Sequence, residues 1–278
     1  MSNTTTRSSR GGRKPSTKKR RKQEHSMPRW LRSLLTVMIV VVFTTAFYLF
    51  FVRPYAFRWR LHENKVPYYM QIPKGYEVCG IDISHYQGTI NWEKVAKNRY
   101  TDIPIQFIFF KATDGNDIVD EHFHRNMVQA RKYGFIVSAY HFYEPQVDPI
   151  EQANFFIHTV KLQKGDLPPV LDVERSGHLV KEVFQRDVKQ WLKRVETHFG
   201  VKPILYTSYK FKLDYLDDDF FNQYPYWIAH YYVSTISYKG KWSFWQYTDV
   251  GYVPGITGDV DLNVFNGSMD ELVTLLIN

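Results

Sequence analysis

The sequence predicts an α/β protein built as an irregular (β/α) barrel of about eight strands, preceded by a single transmembrane helix. Short β-rich runs alternate with helix-length segments from Tyr76 onward, which is typical of parallel strands joined by outer helices. After Thr207 this alternation loses most of its helices, so the last third of the barrel is expected to be helix-poor. The uncharged apolar run at 33–52 is long enough to cross a bilayer as a helix.

The chain is expected to have four parts that differ in charge, hydropathy and proline content. Residues 1–32 carry eleven Lys and Arg residues against the single acid Glu24, which gives this tail +10. The tail has little to bury and is expected to be disordered and cytoplasmic. Residues 33–52 are the predicted span, 53–75 a proline-interrupted juxtamembrane linker, and 76–278 the barrel. Because the whole chain carries +8, the rest carries −2, which argues against a folded nucleic-acid-binding domain.

The cations before the span also predict its orientation. Basic residues favour the cytoplasmic side, so the amino terminus is expected inside and the barrel outside. A cleaved signal peptide is the alternative, although Ala46 offers only a poor cleavage site. The run at 18–22 could instead be a nuclear-localisation or RNA-binding patch, but a neighbouring span makes contact with anionic lipid the simpler explanation.

The strands and helices follow from local patterns. Val183, Phe184, Val188, Trp191 and Leu192 recur at helical spacing before the stop signal of a glycine, and a capping pattern opens the final helix. The predicted strands are 77–84, 106–111, 136–141, 170–174, 203–207, 226–230, 243–247 and 259–264. The predicted helices lie near 91–98, 121–133, 149–162, 181–199 and 268–277.

Polar and aromatic residues recur where the predicted strands end. In a parallel barrel the carboxyl ends of the strands form one face, and functional residues collect there. Aromatic rings with nearby carboxylates and amides suit a sugar ring, although core packing is the simpler reading for any one aromatic residue. The residues at these ends are Asp82, Ser84, Lys111, Tyr140, His141, Tyr143, Asp172, Glu174, Tyr206, Trp227, His230, Trp245, Gln246, Asp261 and Asn263.

Two of these residues form an acid pair. Asp172 and Glu174 are two positions apart, so both side chains leave the same face of a strand. Mutual repulsion is expected to raise one pKa and leave the other low, as glycoside cleavage requires. The alternative is that the acids cap the next helix or pair with cations such as Arg175.

Other chemistries find little support. The single cysteine, Cys79, cannot form an intramolecular disulfide, and we expect it to be a small buried residue. His122 and His124 are spaced so that they do not share a helix face, and no metal site or cofactor is expected. A nucleophilic serine would need a G-x-S-x-G elbow, which the sequence lacks.

The motifs at the strand ends resemble glycoside hydrolase family 25, the lysozymes of the N-acetylmuramidase type. The resemblance covers about residue 78 to the carboxyl terminus, with the motifs in the expected order. These motifs are GIDIS at 80–84, QG at 87–88, KATDG at 111–115, AYHF at 139–142, LDVE at 171–174, PILY at 203–206, WIAHY at 227–231, WQY at 245–247 and VDLNVF at 260–265.

The resemblance implies an irregular barrel that hydrolyses the β-1,4 bond from N-acetylmuramic acid to N-acetylglucosamine in peptidoglycan. It matches Glu174 to the proton donor, Asp172 to its partner, and Asp82 and Asp261 to supporting aspartates. Lys111, Tyr140, Tyr143, Tyr206, Trp227, Trp245 and Gln246 are the further candidate substrate-binding or supporting residues. Asp114 stands where the motif more often has Glu, and it is expected to lie away from the acid pair.

Retaining, inverting and substrate-assisted courses all remain open from the spacing of the acids, and the N-acetylated sugar favours substrate assistance with retention. The expected partners are peptidoglycan strands and, through 33–52, the lipid bilayer, with no nucleic acid. The working location is a bacterial cytoplasmic membrane with the barrel periplasmic or extracellular. One alternative is a non-catalytic, membrane-tethered glycan-binding protein, and another is a membrane protein that binds nucleic acid through its tail.

Overall fold

The computed structural model describes residues 28–49, 71–97 and 105–278. They belong to two compact units, an amino-terminal helix and a barrel. Residues 1–27 of the predicted tail, 50–52 of the predicted span and 53–70 of the predicted linker lie outside the described residues, so those expectations stay predictions.

Helix α1 (Arg29–Phe47) contains most of the predicted span and begins four residues before it. Its most apolar 18-residue window has a mean hydropathy of 1.9, and none of that window is buried. The hydroxyls of Thr36 and Thr44 donate to the carbonyls of Arg32 and Val40, at 2.9 and 2.8 Å, so these polar groups are satisfied inside the helix. The helix is therefore long and apolar enough to cross a membrane, features that a signal sequence shares.

The barrel is closed by eight strands in the order β1-β9-β8-β7-β6-β5-β4-β2, with β2 pairing back to β1. This confirms the predicted barrel. A short strand, β3, pairs only with β2 and lies beside the closed ring. The strands are β1 (Cys79–Ile83), β2 (Ile105–Asp114), β3 (Ile118–Val119), β4 (Ile136–Phe142), β5 (Val170–Asp172), β6 (Ile204–Ser208), β7 (Tyr226–Ala229), β8 (Phe244–Gly251) and β9 (Val260–Phe265).

Strand β9 runs antiparallel to both of its neighbours, whereas the other seven barrel strands are parallel. The expectation that Asp261 and Asn263 lie at the carboxyl end of their strand was therefore wrong. Asp261 is near the amino end of β9, and the reversed direction brings it level with Asp82, close to the carboxyl end of β1. The short β8–β9 connection has no crossover helix, which is why an antiparallel return is the geometry available to it.

The helices of the barrel unit are α2 (Trp92–Ala96), α3 (Phe123–Lys132), α4 (Pro149–Thr159), α5 (Lys181–Phe199), α6 (Tyr209–Tyr215) and α7 (Met269–Thr274). Helix α5 has the predicted bounds and ends at Gly200, whose φ of +69° suits a residue without a Cβ. Helix α7 opens with the predicted capping box between Ser268 and Glu271. Helix α6 was not predicted, but the last third of the barrel is helix-poor, as expected.

Two hydrophobic layers hold the barrel together. The outer layer packs the strands against the helices, and the inner layer fills the barrel with Phe107, Phe109, Trp227 and Phe244. The rings of Phe109 and Trp227 stack with centroids 4.3 Å apart. Leu272 of α7 joins this inner layer at the amino end. The barrel is thus filled and closed at one end, which leaves its carboxyl end for polar residues.

Candidate active site

Asp172 and Glu174 leave the carboxyl end of β5 on the same side. Asp172 is the last residue of the strand and is only 7% exposed, whereas Val173 points into the outer layer. The Val173 amide donates to the carbonyl of Tyr206 at 3.0 Å, so the strand's alternation continues past its end. Glu174 therefore returns to the side of Asp172, and it is exposed to solvent.

The pKa values of both carboxyls in this pair are raised. Desolvation and the neighbouring charges of Glu174 and Asp82 raise the pKa of Asp172 well above its usual range. Desolvation also raises the pKa of Glu174, against the lowering effects of the Tyr206 hydroxyl, Arg175 and Lys111. The sequence predicted that one pKa would stay low, whereas burial raises both in the free protein.

One oxygen of the buried acid has no partner. Oδ1 of Asp172 is enclosed and makes no hydrogen bond within the described part of the chain. An unpaired buried acceptor is costly, so such an atom favours a bound donor. Asp172 can therefore accept a hydrogen bond from a ligand at the carboxyl end of the barrel.

Asp82 is the centre of a hydrogen-bond network on the opposite side of the barrel. Its Oδ2 accepts from Nε2 of Gln246 and from Nδ2 of Asn263, both at 2.7 Å. The Oε1 of Gln246 in turn accepts from the hydroxyls of Tyr206 and Tyr231, at 2.7 and 2.6 Å. The network connects β1, β6, β8 and β9 at one level, and the nearby Tyr206 hydroxyl lowers the pKa of Glu174.

Asp261 completes the acidic group beside Asp82. The two residues are paired across β1 and β9, and their carboxyls share a hydrogen bond. Burial raises both pKa values, and the charge of Asp82 raises that of Asp261 further. Together with Asp172 and Glu174, these residues bring four acids to one end of the barrel.

Three more predicted residues lie beside the acids. Trp227 donates from Nε1 to Oδ1 of Asn263 at 2.7 Å, and its ring packs against Tyr206 at a centroid distance of 4.4 Å. Tyr140 is half-buried, and the charges of Asp82 and Asp172 add to burial in raising its pKa. Lys111 lowers the pKa of both Asp172 and Glu174 by its charge.

The structure does not bring Tyr143 and Trp245 to this site. Both side chains are buried in the outer layer, where Tyr143 meets Phe184 edge to face and Trp245 donates from Nε1 to the carbonyl of His230 at 2.8 Å. Trp245 directly precedes the inward-facing Gln246, so strand alternation turns it outward. His141 is also a core residue, stacked on Trp191, and burial lowers its pKa to about 4.

Sequence reasoning missed two residues of the site. Tyr231 follows β7 and completes the partners of Gln246, and Phe142 is the last residue of β4, paired with Asp172 on β5. Both belong to the quoted motifs, and Phe142 has the same alternation as Tyr140, which could have marked it as inward-facing. Asp114 was expected to lie away from the acids, but it contacts Lys111 at 2.7 Å and its charge contributes to the raised pKa of Asp172.

Metal-ligand groups and cavities are two further features that can mark a functional site. Within residues 28–49, 71–97 and 105–278, no group of three or more His, Cys, Asp or Glu side chains could hold a metal ion. Three cavities lie elsewhere: about 370 Å³ beside 71–74 and 232–235, about 660 Å³ beside 89–94 and 255–257, and about 550 Å³ beside 222–226 and 241–243.

A filled β/α barrel with a buried carboxyl beside an exposed one at its carboxyl end has the architecture of a glycoside hydrolase. The profile of the glycosyl hydrolases family 25 matches residues 81–256. The chain belongs to this family and is a glycoside hydrolase, as the motifs predicted.

Relatives and solved structures agree with the family. The chain is 45% identical to the uncharacterized protein YegX of Escherichia coli K12 over 204 residues, 73% of this chain and 75% of the relative. It is 32% identical to lysozyme M1 of Streptomyces globisporus over 216 residues, 72% of each chain. A family 25 glycosyl hydrolase structure from Bacillus anthracis matches with a TM-score of 0.68 and 32% identity, covering 76% of this chain and 99% of that one.

Proposed function

We propose that this protein is a peptidoglycan muramidase that hydrolyses the β-1,4 bond between N-acetylmuramic acid and N-acetylglucosamine. The observation that carries the proposal is the acid pair, with Glu174 exposed and Asp172 enclosed with one unpaired oxygen. The similarity to lysozyme M1 supports peptidoglycan as the substrate.

Glu174 acts as the proton donor. Its raised pKa keeps a larger fraction of the carboxyl protonated near neutral pH than an ordinary glutamate would have. The protonated carboxyl gives its proton to the glycosidic oxygen as the C–O bond breaks, and the carboxylate then removes a proton from the attacking water. Its exposure gives the substrate access to the proton.

Asp172 acts on the 2-acetamido group of the muramic acid. The amide N–H donates to the unpaired Oδ1, which turns the amide oxygen toward C1. As that oxygen attacks C1, the amide becomes cationic, and the Asp172 carboxylate stabilises the charge. Protonated Glu174 favours this ionisation because it no longer repels Asp172 as a like charge. Water then attacks C1 from the face of the sugar opposite to the acetamido oxygen and opens the cyclic intermediate. The two successive inversions at C1 give net retention.

Asp82 and Asp261 support this chemistry from the other side of the barrel. Their hydrogen-bonded pair fixes Gln246 and Asn263, which orient Tyr206 and Trp227. The Tyr206 hydroxyl held by this network lowers the pKa of Glu174, so the network helps to set the acidity of the proton donor. Trp227, Tyr140 and Lys111 are the remaining side chains at this end of the barrel that we assign to substrate positioning.

The fragments released from purified peptidoglycan test the bond that is cleaved. Full-length protein in nonionic detergent micelles should release fragments whose reducing end is N-acetylmuramic acid, read by mass spectrometry after borohydride reduction. Reducing-end N-acetylglucosamine, 1,6-anhydro ends or no fragments would contradict the proposal. The same preparation of Glu174→Gln should release few fragments and serves as the control.

The stereochemical course has its own test. Proton NMR of the early reaction should show the β anomer first, before mutarotation. An α anomer as first product would exclude the double-displacement route through the acetamido group, whichever bond is cut.

We infer that α1 anchors the enzyme in a bacterial cytoplasmic membrane with the barrel outside. The eleven cations of residues 1–32 support a cytoplasmic amino terminus, and the exposed apolar surface of α1 supports a membrane environment. In intact spheroplasts, antibody should reach an epitope placed after Asn278 but not one placed before Met1, which should become accessible on lysis. Reversed accessibility would overturn the orientation, and loss of the amino-terminal epitope from the barrel would indicate a cleaved signal.

A further inference from the structure

A phenylalanine beside the acid pair contacts two cations, and one of them, Arg175, has no role in the chemistry described above. Phe142 is half-buried at the end of β4, directly paired with Asp172 on β5. The Nζ of Lys111 and the guanidinium of Arg175 each lie 4.8 Å from the centroid of its ring. Both distances are within the range of a cation–π contact.

Lys111 reaches the ring because of an irregularity in β2. The register between β2 and β4 shifts between Lys111 and Thr113, so Lys111 pairs with Tyr140 and Asp114 pairs with Phe142. In a regular strand, residues three apart face opposite sides, but the bulge turns Lys111 and Asp114 to the same side. The two then form an ion pair at 2.7 Å in which Lys111 is only 16% exposed.

Arg175 contacts the same ring from the segment that follows β5. It directly follows Glu174, and its Nη2 lies 3.3 Å from Oε1 of Glu144. Its side chain is 57% exposed, so the contact with Glu144 alone would hold it weakly. The Phe142 ring supplies a second contact that keeps the guanidinium beside the proton donor.

We propose that Phe142 is a positioning residue that holds the Lys111 and Arg175 cations beside the acid pair, and that this arrangement sets the pH range in which Glu174 donates its proton. Positive charge beside a carboxyl stabilises the carboxylate, so the cations counteract the effects of burial and neighbouring acids. Without them, Glu174 would stay protonated at higher pH and would be a weaker acid toward the leaving oxygen.

The groups that face Glu174 come from several elements. Lys111 and Arg175, which are paired with Asp114 and Glu144, lower the pKa of Glu174, and so does the Tyr206 hydroxyl. The aspartates interact with Glu174 as like charges. The groups are Asp82 on β1, Lys111 on β2, Asp172 on β5, Arg175 after β5, Tyr206 on β6 and Asp261 on β9. The two cations are the only positive charges among them, so a change at either should be readable in the titration of Glu174.

Titration of the Glu174 carboxyl in the full-length chain, in detergent micelles without substrate, tests the proposal. The ¹³C resonance is assigned by its loss in Glu174→Gln. Arg175→Gln and Phe142→Leu should each move the titration midpoint upward by about 0.5 pH unit, the size expected for a charge partly exposed to solvent. Arg175→Lys, which keeps the charge, should move it less.

Arg186→Gln is the matched control. Arg186 is 62% exposed on α5 and pairs with Asp187 at 2.8 Å, so it resembles Arg175 in exposure and pairing. It should leave the Glu174 midpoint unchanged. In variants whose circular dichroism is native, an unchanged midpoint in Phe142→Leu would overturn the positioning role of Phe142. An unchanged midpoint in Arg175→Gln would overturn the effect of the cation on Glu174.

The pH profile of turnover gives a second readout, which rests on the proposed function. The alkaline limb of kcat/KM on peptidoglycan should move upward with the titration midpoint in Arg175→Gln and Phe142→Leu. A higher KM with an unmoved limb would instead make Arg175 a substrate contact and contradict the positioning role. Because the NMR titration uses no substrate, it stands or falls independently of the muramidase assignment.

Discussion

Asp82 and Asp261 share a hydrogen bond between their carboxyl groups across the antiparallel pairing of β1 with β9. Such a bond needs one proton. Asp82 Oδ2 already accepts from Gln246 and Asn263, so Asp82 is the stabilised anion and Asp261 carries the proton. The pair therefore holds one negative charge, which explains how four acids can lie together at one end of the barrel.

This pair makes the free energy of unfolding depend on pH. The folded-state pKa of Asp261 is raised above its unfolded value, so the folded state binds more protons and stability falls as pH rises from about 4 through the raised pKa. Asp261→Asn, which can still donate to Asp82, should remove this contribution, at most about 1.4 kcal/mol per pH unit for one proton. Urea unfolding of the full chain at pH 5, 7 and 9 measures it.

The matched control for this prediction is Asp270→Asn, an exposed acid in the first turn of α7. It should keep the pH dependence of the parent protein. A parent-like slope in Asp261→Asn as well would show that Asp261 is not the protonated member of the pair.

Removing the proton donor should strongly reduce turnover without unfolding the barrel. Glu174→Gln keeps the shape of the side chain but has no proton to give, so kcat on purified peptidoglycan should fall by about two orders of magnitude or more. The melting temperature should not fall, because Glu174 is exposed and its raised pKa means that the fold accepts a neutral side chain at least as well as the carboxylate. Glu182→Gln, an exposed glutamate in the first turn of α5, should leave both quantities unchanged. Rapid clearing of cell walls by Glu174→Gln would mean that another residue donates the proton.

Asp172→Asn should separate activity from stability. The loss of the carboxylate removes the charge that stabilises the cationic acetamido intermediate, so kcat should fall by about 10²-fold. Burial raises the pKa of Asp172, which means that the folded state tolerates the charged form poorly at neutral pH. The neutral amide should therefore raise the melting temperature at pH 7. A variant that is both active and less stable would place Asp172 outside the chemistry and in a structural role.

The sequence predicted the barrel well because its signals are local. Apolar runs located all eight barrel strands, and α5 was predicted with the observed bounds because its apolar spacing and terminal glycine are unambiguous. The direction of β9 was missed because every strand was treated as parallel, although the short connection from Gly251 to Val260 favours an antiparallel return. Helix α6 was missed because seven residues show too little periodicity.

Some of the predicted site residues lie at the site and others do not, and strand alternation explains which. Asp172 and Glu174 were placed on one side by a period of two, and the same rule turns Tyr143 and Trp245 away from the inward Phe142 and Gln246. The bulge in β2 breaks the period, so the contact of Lys111 with its neighbouring acid could not be foreseen from spacing. Raised pKa values depend on burial, which a pattern of residue types does not measure.

The last prediction concerns the packing that supports the acidic end. A Cβ on Gly80 would lie 2.3–2.5 Å from three atoms of the Phe107 ring, which fills the barrel below Asp82. Gly80→Ala should therefore lower the free energy of unfolding by about 1–3 kcal/mol, because a filled core has no room for the methyl group. Phe107→Leu, which shortens the side chain, should be less harmful in the Gly80→Ala background than in the parent. Urea unfolding of the parent, both single variants and the double variant gives the coupling energy, and strictly additive losses would show that the ring and the glycine are not in contact.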